Sequence, residues 1–567
     1  MSTEPTKQDI SKELGNSGIM IQPSAAEEII SSEIDTSSIL SNLTESVDSG
    51  SILDVDEVQN HLSSISSTES EEEDVVESEE EDVVESEEEG NSIQTERASL
   101  DSINPDEAFN KLKNKNLREE SNVEITNRKE TLSERYPELC KTLFDRDFPE
   151  SKPRNSVITS HEISGDVTGN SRGTGDFEDF RSLFTSRFEK LYGLLQEHAA
   201  NQVYKVSELN KKSHGGKNII VAGLVWDKFV SSNDNYFIEL ETPKSNDTMR
   251  VVFTDENMKE PFEEVVPDEA VAIRGQLSDD GGIVFGDSEV RKGRPPIMHP
   301  EIPPSISANT VDREAKVALV SDIHIGAEEF YAKYWNKFVD WVRETPSIEY
   351  VLVAGDLVEG IGVYPDQDEE LTVVDIYDQY ALTGKMFDKL PNDVQIIASV
   401  GNHDTVRLAE PQPALGEKFT KYFGDNVEFV GNPVTVDIEG YNILMYHGMS
   451  INALSEVIPG LDAGEPAGVM KAMLKKRHVA PVYGKNVRLA GEEKDYLVID
   501  KVPNLLHCGH VHKYEKDEYN GVHIVNTASW QGQTAFQKSK GIEPDVGYWA
   551  TLNLQTNEVK EYRADTI

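Results

Sequence analysis

The sequence has few cysteines, no long apolar run and a shortage of basic residues. Its 567 residues include two cysteines, Cys140 and Cys508, too few for the disulfide framework of a small secreted domain. No segment approaches the roughly 18 consecutive apolar residues of a membrane-spanning helix. The first ten residues, MSTEPTKQDI, lack the basic and apolar regions of a secretory signal. These absences predict a soluble chain in a reducing cytoplasm, with no membrane association.

Basic residues are too few to balance the acidic ones. Lys and Arg total 54 against 104 Asp and Glu, and the formal net charge is −50. Roughly half of this excess lies in about the first 100 residues. The remainder is still acidic, so the chain lacks the broad basic surface that usually binds nucleic-acid phosphates. Any contact with DNA is therefore expected to depend on a partner chain, or on a salt-rich cytoplasm that screens the charge.

Residues 1–170 are predicted to be mostly a disordered acidic tail. Ser, Glu, Asp and Thr dominate this region, and the octapeptide EEEDVVES occurs at Glu71–Ser78 and again at Glu79–Ser86. Such a composition buries too little apolar area to offset the entropy lost on ordering. Apolar residues at loosely helical spacing allow a small helical module near residues 10–50.

Two structured regions are predicted to follow the tail. Residues 176–212 are interpreted as a helical connector, because Phe180, Phe184, Phe188 and Leu191 recur at steps of three and four. Residues 216–293 contain five strand-like runs separated by turn residues, which predicts an OB-like β-barrel. Such a barrel either binds single strands or serves as a protein adaptor, and its few aromatics and excess of acids favour the adaptor.

From residue 314 to residue 567, short apolar strands alternate with helices, which predicts a layered α/β domain. Polar clusters follow five strands of this domain: Asp322-Ile323-His324, Gly355-Asp356, Asn402-His403-Asp404, His447-Gly448 and His510-Val511-His512. Residues i and i+2 at a strand end point the same way, so Asp322 and His324 can reach one ion. Each cluster alone would suit an ordinary surface position, but five in one domain predict a metal centre. Carboxylate, imidazole and amide ligands suit Mn²⁺, Fe or Zn²⁺ more than Mg²⁺.

The ordered set of motifs resembles the calcineurin-like metallophosphoesterase superfamily, in which two packed sheets are flanked by helices. The resemblance implies two divalent ions, Mn²⁺ being the first candidate, held by the following residues: Asp322, His324 and His512 on one, Asn402, His447 and His510 on the other, and Asp356 between them. It also implies that His403 approaches the phosphoryl oxygen or leaving group and that Asp404 orients its imidazole. Two such ions would activate water and neutralise phosphoryl oxygens during hydrolysis. Glu359 stands where the superfamily often has a shorter acidic residue, and its role stays open.

The stretches between these motifs are more specific for a substrate. AGDLVEGIGVYP, MLKKRHVAPVYG, DYLVIDKVPNLLHCGHVH and NTASWQGQTAFQK resemble the small subunit of the archaeal family D replicative DNA polymerases. The resemblance implies a 3′→5′ proofreading exonuclease that acts on single-stranded 3′ ends, in a heterodimer with a large subunit that performs synthesis. Two alternatives remain: a stand-alone metallophosphatase or nucleotidase, and a non-catalytic polymerase scaffold.

Two features outside the ligand set are candidate DNA contacts. Lys475, Lys476, Arg477 and His478 form the clearest basic cluster of the domain and could hold backbone phosphates. A solvated helix face is the alternative interpretation of this cluster. Trp530, with Gln531 beside it, could contact a terminal base or pack against a partner subunit.

Overall fold

The computed structural model describes residues 126–154, 160–199, 202–245, 247–291, 293–303, 310–364, 367–484 and 487–567, with eight further positions before residue 60. The chain divides into two compact units, Met1–Arg135 and Tyr136–Ile567. In the first unit, β1 (Met20–Ile21) pairs in parallel with β2 (Ile52–Leu53), and residues 126–135 are helical. Most of the predicted tail and of the predicted module near residues 10–50 lies outside the described residues. No helix among the described residues is long and apolar enough to cross a membrane.

The second unit begins with three elements that precede the barrel. They are α1 (Pro137–Phe144), β3 (His161–Ser164) and α2 (Phe177–Ala199). Helix α2 occupies the predicted connector and buries Phe188, Leu191 and Leu195, whereas Phe177 at its start is 79% exposed. Short elements complete the connector, namely β4 (Tyr204–Lys205), a 3-10 turn (Val206–Glu208) and α3 (Lys211–His214).

A closed five-stranded barrel follows, as the sequence predicted. Its elements are β5 (Asn218–Val230), β6 (Tyr236–Glu241), β7 (Thr248–Phe253), a 3-10 turn (Glu256–Met258), α4 (Lys259–Glu264), β8 (Ala270–Leu277) and β9 (Ile283–Gly286). The strands run in the order β5-β6-β7-β9-β8, and β8 pairs again with β5 to close the ring. Alternate residues point inward, so Val221, Ile238, Val251 and Ile273 fill the interior. Strand β10 (Ile297–Met298) adds to the outside of β8.

The remaining chain forms two six-stranded sheets packed face to face. One has the order β14-β13-β12-β11-β20-β21 and the other β18-β19-β17-β16-β15-β3. The strands are β11 (Lys316–Val320), β12 (Ile348–Ala354), β13 (Gln395–Ser399), β14 (Val427–Phe429), β15 (Val434–Ile438), β16 (Tyr441–Met445), β17 (Leu505–Cys508), β18 (Glu515–Tyr519), β19 (Val522–Asn526), β20 (Tyr548–Asn553) and β21 (Glu558–Arg563). Leu319 and Leu352 from the first sheet and Val436 and Ile443 from the second share one buried core. The layered architecture is therefore the predicted one.

Helices pack on the outer faces of the two sheets or lie in the segments between strands. They are α5 (Ala332–Glu344), α6 (Ile376–Phe387), α7 (Glu417–Thr420), α8 (Ser450–Val457), α9 (Pro466–Lys476) and α10 (Ala535–Lys540), with a 3-10 turn at Gln367–Glu370. On the first sheet, Phe338 of α5 packs edge-on against Trp549 of β20. On the second sheet, α9 contacts β18 and β19.

The prediction of a tail reaching residue 170 is wrong for its last part. Helix α1 lies against α5, where Asn336 donates a hydrogen bond to the carbonyl of Thr142 (2.9 Å). Strand β3 pairs antiparallel with β15, so Ile163 lies opposite Val436 and packs against the core between the sheets. Four residues with one apolar side chain are too short for a periodic signal, and pairing with β15 holds them at the edge of the sheet. The phosphoesterase domain therefore includes chain well before residue 314.

Candidate metal centre

Five strand ends bring the predicted ligands together. In the first sheet, β11 leads to Asp322 and His324, β12 to Asp356, and β13 to Asn402 and His403. These three strands are parallel neighbours, so their carboxyl ends share one edge. In the second sheet, the parallel neighbours β16 and β17 lead to the remaining histidines, which are His447, His510 and His512. The two edges face each other, and all seven predicted ligands meet between the sheets.

The backbone at these ligands is strained. Asp322 (φ 52°), His324 (55°), Asp356 (52°), His510 (72°) and His512 (55°) all adopt the left-handed region. For a non-glycine residue this conformation costs on the order of 1–3 kcal/mol, and it persists only where surrounding contacts impose it. Five of the seven predicted ligands therefore have a backbone that turns sharply as the strand ends, which aims each side chain into the site.

The first ligand cluster consists of Asp322, His324 and His512, whose candidate ligand atoms all lie within 4.8 Å of one another. The Nε2 atoms of the two histidines are 3.0 Å apart, and Asp322 Oδ1 lies 3.5 Å from His512 Nε2. On the far side of its ring, His324 Nδ1 lies 2.6 Å from Glu359 Oε2. A proton on Nδ1 donates to this carboxylate and leaves Nε2 free to bind a metal.

The second cluster consists of Asp356, His447 and His510, also within 4.8 Å, together with Asn402. His447 Nε2 lies 3.2 Å from Asp356 Oδ2 and 3.1 Å from Asn402 Oδ1. His447 Nδ1 lies 2.9 Å from the carbonyl oxygen of Ala354, to which it donates a hydrogen bond. Nε2 again faces the site. Asp356 lies within reach of both clusters, because its Oδ2 is 3.6 Å from His324 Nε2.

The electrostatics of the two clusters fit divalent cations. Burial opposes ionisation of Asp356, but the charges of His447 and His403 outweigh it and hold the pKa of this carboxyl well below its usual range. Burial lowers the pKa of His510 to about 3, so that ring is neutral and can donate its lone pair. Burial also disfavours charge on His447, but Asp356 and Asp322 prevail and raise its pKa to about 9. Metal binding there would displace a proton.

The donor set matches the expected ions. Asp322, His324, Asp356 and His447 are at most 1% exposed, and the candidate ligand atoms of each cluster lie within 4.8 Å of one another. Buried carboxylates and facing imidazole nitrogens at such distances are satisfied by a metal ion. The residues present therefore fit a pair of divalent cations.

The prediction that Asp404 orients His403 is wrong. His403 Nδ1 lies 2.7 Å from the backbone carbonyl oxygen of Glu359, to which it donates a hydrogen bond. Asp404 instead accepts hydrogen bonds from the Gly401 amide (2.9 Å) and from the Tyr380 hydroxyl (3.1 Å). Its Oδ2 also lies 3.3 Å from the amide of Leu357. Asp404 therefore ties the Asp356 loop to the His403 loop and does not touch the imidazole.

Glu359 supports the candidate ligand His324, although its side chain is longer than the one that often occupies this position. Beyond its contact with His324, it accepts hydrogen bonds from Gln531 (2.9 Å), Gln367 (3.2 Å) and the Tyr364 hydroxyl (3.0 Å). Burial works against its charge, but His403 and His324 outweigh it and lower the pKa of Glu359 to about 2. The carboxylate stays ionised and fixes the ring of His324. The contacts of Gln367 and Gln531 join separate loops, and no spacing in the sequence signals them.

The basic cluster predicted to contact DNA is largely buried. Lys476, Arg477 and His478 are at most 3% exposed. Lys476 Nζ lies 2.9 Å from Glu269 Oε2 in the barrel, and Lys475 pairs with Glu264 at 2.5 Å. The structure thus contradicts the predicted phosphate contact for the three buried residues.

These buried groups join the barrel and α2 to the phosphoesterase domain. His478 Nε2 lies 2.9 Å from Asp495 Oδ2, to which the buried Arg187 of α2 donates at 2.7 Å. Burial opposes ionisation of Glu269, but Lys476 and His299 outweigh it and lower its pKa to about 2. Acidic partners from other segments thus neutralise Lys476 and Arg187 inside the protein, whereas burial lowers the pKa of His478 to about 4 and leaves its ring neutral.

Trp530 does not lie in a position to stack on a base. Its side chain is fully buried, edge-on to Trp335 at a ring separation of 5.1 Å and against Trp549 at 6.0 Å. This aromatic cluster anchors α5 to the first sheet. The predicted DNA contact of Trp530 is therefore wrong, whereas its neighbour Gln531 reaches the site through Glu359.

Comparison with known proteins agrees with this geometry. Residues 315–514 match the family model described as calcineurin-like phosphoesterase. The DNA polymerase II small subunit of Halobacterium salinarum is 40% identical over 411 residues, which cover 71% of this chain and 78% of the relative. The DNA polymerase II small subunit of Archaeoglobus fulgidus is 38% identical, over 68% of this chain and 77% of the relative. That of Methanocaldococcus jannaschii is 36% identical, over 76% of this chain and 70% of the relative. A solved archaeal phosphodiesterase aligns with 44% of this chain and 99% of its own at 16% identity, with a TM-score of 0.24, too low to carry an argument.

Two packed sheets with a histidine and carboxylate site at their facing edges define a metal-dependent phosphoesterase of the calcineurin-like class. The class leaves the substrate open. The identity with the archaeal relatives, and the share of each chain that it covers, identify the family within this class. The chain belongs to the DNA polymerase II small subunit family.

Proposed function

We propose that this chain is the proofreading subunit of a heterodimeric replicative DNA polymerase. It removes nucleotides from single-stranded 3′ ends by two-metal phosphodiester hydrolysis, while a large subunit performs synthesis. The observation that carries the proposal is the complete ligand set: all seven candidate ligands converge, and His403 stands beside them. A purely structural subunit would have no need for five strained ligand positions.

The residues of the site have separable roles in this proposal. Asp322, His324 and His512 would hold one divalent ion and Asn402, His447 and His510 the other, with Asp356 reaching both. When bound, the two ions supply Lewis-acid stabilisation of the phosphoryl charge and activation of water. Mn²⁺ is the proposed ion in solution, since the ligands combine nitrogen and oxygen.

His403 is the proposed proton donor to the leaving oxygen. Its side chain is 15% exposed, whereas the ligand His324 beside it is 1% exposed, and the two ring centres are 4.6 Å apart. Because Nδ1 of His403 is hydrogen-bonded to the carbonyl of Glu359, Nε2 is the ring nitrogen that would contact a substrate oxygen. A positioned acid of this kind contributes about 10²- to 10⁴-fold to the rate.

The direct test uses the purified full-length chain with Mn²⁺ and a 5′-labelled single-stranded oligonucleotide. We expect stepwise shortening from the 3′ end, and a loss of at least about 100-fold in Asp356→Ala and His403→Ala. His523→Ala is the matched control, because this histidine of β19 contacts the carbonyl of Asn557 (3.0 Å) away from the site. Unchanged shortening in both site variants would refute the proposal.

Two further measurements separate the alternatives. Hydrolysis of small phosphate esters without any action on DNA would indicate a stand-alone phosphatase. Absence of hydrolysis by the chain, both alone and with the co-purified large polymerase subunit, would indicate a scaffold. Co-purification of that subunit with the tagged chain is the expected result, because the relatives are named small subunits.

A further inference from the structure

One aromatic pair beside the site is not explained by the fold. The rings of Tyr364 and Phe536 stack at 5.8 Å with an interplanar angle of 29°, and the Tyr364 ring lies edge-on to His403 at 6.3 Å. Tyr364 follows the loop of Asp356 and Glu359, whereas Phe536 comes from α10. The pair therefore spans two segments that border the metal centre.

Phe536 has no role in the core. It is 47% exposed, and the six-residue helix α10 buries none of its side chains. The helix is instead fixed by polar contacts: Thr534 and Gln537 form a capping box, and the Gln537 amide lies 2.8 Å from His512 Nδ1. An exposed phenylalanine is thus held one residue away from a side chain that contacts a metal ligand.

Tyr364 is fixed just as firmly. Its hydroxyl donates to Glu359 Oε1 (3.0 Å) and lies 3.4 Å from Glu370 Oε2. With the hydroxyl engaged, the ring keeps one orientation and presents its face to Phe536. A rigid aromatic surface loses little conformational entropy when a planar ligand stacks on it.

Two lysines lie on α10 close to Phe536, whereas the carboxylates of Glu359 and Glu370 adjoin the hydroxyl of Tyr364. Lys538 and Lys540 are exposed on α10, and Lys540 Nζ lies 5.9 Å from the Phe536 ring centre. Aromatic rings interleaved with cations are the features that hold single-stranded nucleic acid, because bases stack while lysines contact phosphates.

We propose that Phe536 and Tyr364 form a stacking platform for the terminal base of single-stranded DNA, and that Lys538 and Lys540 contact its phosphates. This inference rests on the proposed nuclease function and adds the group that positions the strand end beside His403. Phe536 and Tyr364 are binding residues, since the reacting bonds lie at the metal ligands.

The test compares two oligonucleotides that differ only in their 3′-terminal residue, thymidine or an abasic analogue, in Mn²⁺-dependent hydrolysis by the full-length chain. A stacked base contributes roughly five- to 150-fold in binding, and we expect the abasic end to raise KM about tenfold with kcat little changed. Phe536→Ala should abolish this discrimination, and Phe536→Tyr should restore it. Phe177→Ala, which removes an exposed ring on α2, is the matched control and should behave as wild type.

A binding measurement keeps the two proposals distinguishable. The full-length chain is titrated into an oligonucleotide carrying 2-aminopurine at its 3′ end and a phosphorothioate at its last linkage. Stacking quenches the fluorescence, and we expect this in wild type but not in Phe536→Ala. Equal hydrolysis of thymidine and abasic ends, with no quenching, would overturn the platform and leave the nuclease standing. Quenching in a wild-type chain that never shortens DNA would support the platform and refute the nuclease.

Discussion

Replacing Lys476 by methionine should destabilise the protein and should not act chiefly on DNA binding. Lys476 ends α9 and is 2% exposed, and its partner Glu269 in the barrel is 1% exposed. The ammonium lies 2.9 Å from the carboxylate and donates to the carbonyl of Glu264 at 2.7 Å. Methionine keeps the apolar stem and removes the charge, so Glu269 becomes a buried carboxylate without its cation.

The expected loss follows from the remaining partners of Glu269. Removing one member of a buried ion pair costs about 3–5 kcal/mol. His299 stays close, with Nδ1 3.1 Å from Glu269 Oε2, and compensates in part. We therefore expect the free energy of unfolding to fall by about 3 kcal/mol, the lower end of this range.

Urea denaturation followed by tryptophan fluorescence measures this loss. Lys475→Met is the matched control: Lys475 and its partner Glu264 are 31% and 49% exposed, so its loss should cost less than about 1 kcal/mol. Equal stability of the Lys476→Met variant and wild type, together with weaker binding of single-stranded DNA and a smaller salt dependence, would refute this reasoning. It would also reinstate the phosphate contact that the sequence suggested.

Three more outcomes follow from the contacts. Glu359→Gln should weaken Mn²⁺ binding about 10- to 100-fold, because it removes the carboxylate that fixes His324; titration calorimetry showing unchanged affinity would contradict this. Trp530→Ala should cost about 3–5 kcal/mol in thermal unfolding, whereas Trp226→Ala, at 64% exposure, should stay within about 0.5 kcal/mol. The pKa of Glu269 is lowered to about 2, so the stability that its charge contributes is present above its ordinary pKa of 4.5 and is lost as the pH falls towards 2. Glu269→Gln should therefore reduce the loss of stability between pH 4.5 and pH 2, and an unchanged loss would contradict the ion pair of Glu269 with Lys476.

The convergence of the candidate metal ligands could be predicted because strand ends carry their own signal. A short apolar run followed by a polar cluster fixes where each side chain leaves the sheet, and parallel neighbours bring such ends together. The barrel was predictable for a similar reason, since its strands have turn residues between them. Local pattern thus determined most of the fold and the ligand set.

Tertiary partners decided what the sequence could not show. Lys476 and His478 read as an exposed basic cluster, but both are buried: Glu269 neutralises Lys476, and Asp495 accepts a hydrogen bond from the neutral ring of His478. Asp404 stands beside His403 in sequence, yet its carboxylate turns to Gly401 and Tyr380. The sequence showed which residues carry polar side chains, but it did not show which groups those side chains contact. Packing between distant segments decides those partners.

The strand-end residues should together hold two metal ions. Titration calorimetry of the full-length chain with Mn²⁺ should give two ions bound per wild-type chain, and the stoichiometry should fall in Asp356→Ala, which removes the carboxylate near both clusters. Wild-type chain that binds no Mn²⁺, or Asp356→Ala that still binds two ions with unchanged affinity, would contradict a two-metal centre at these residues.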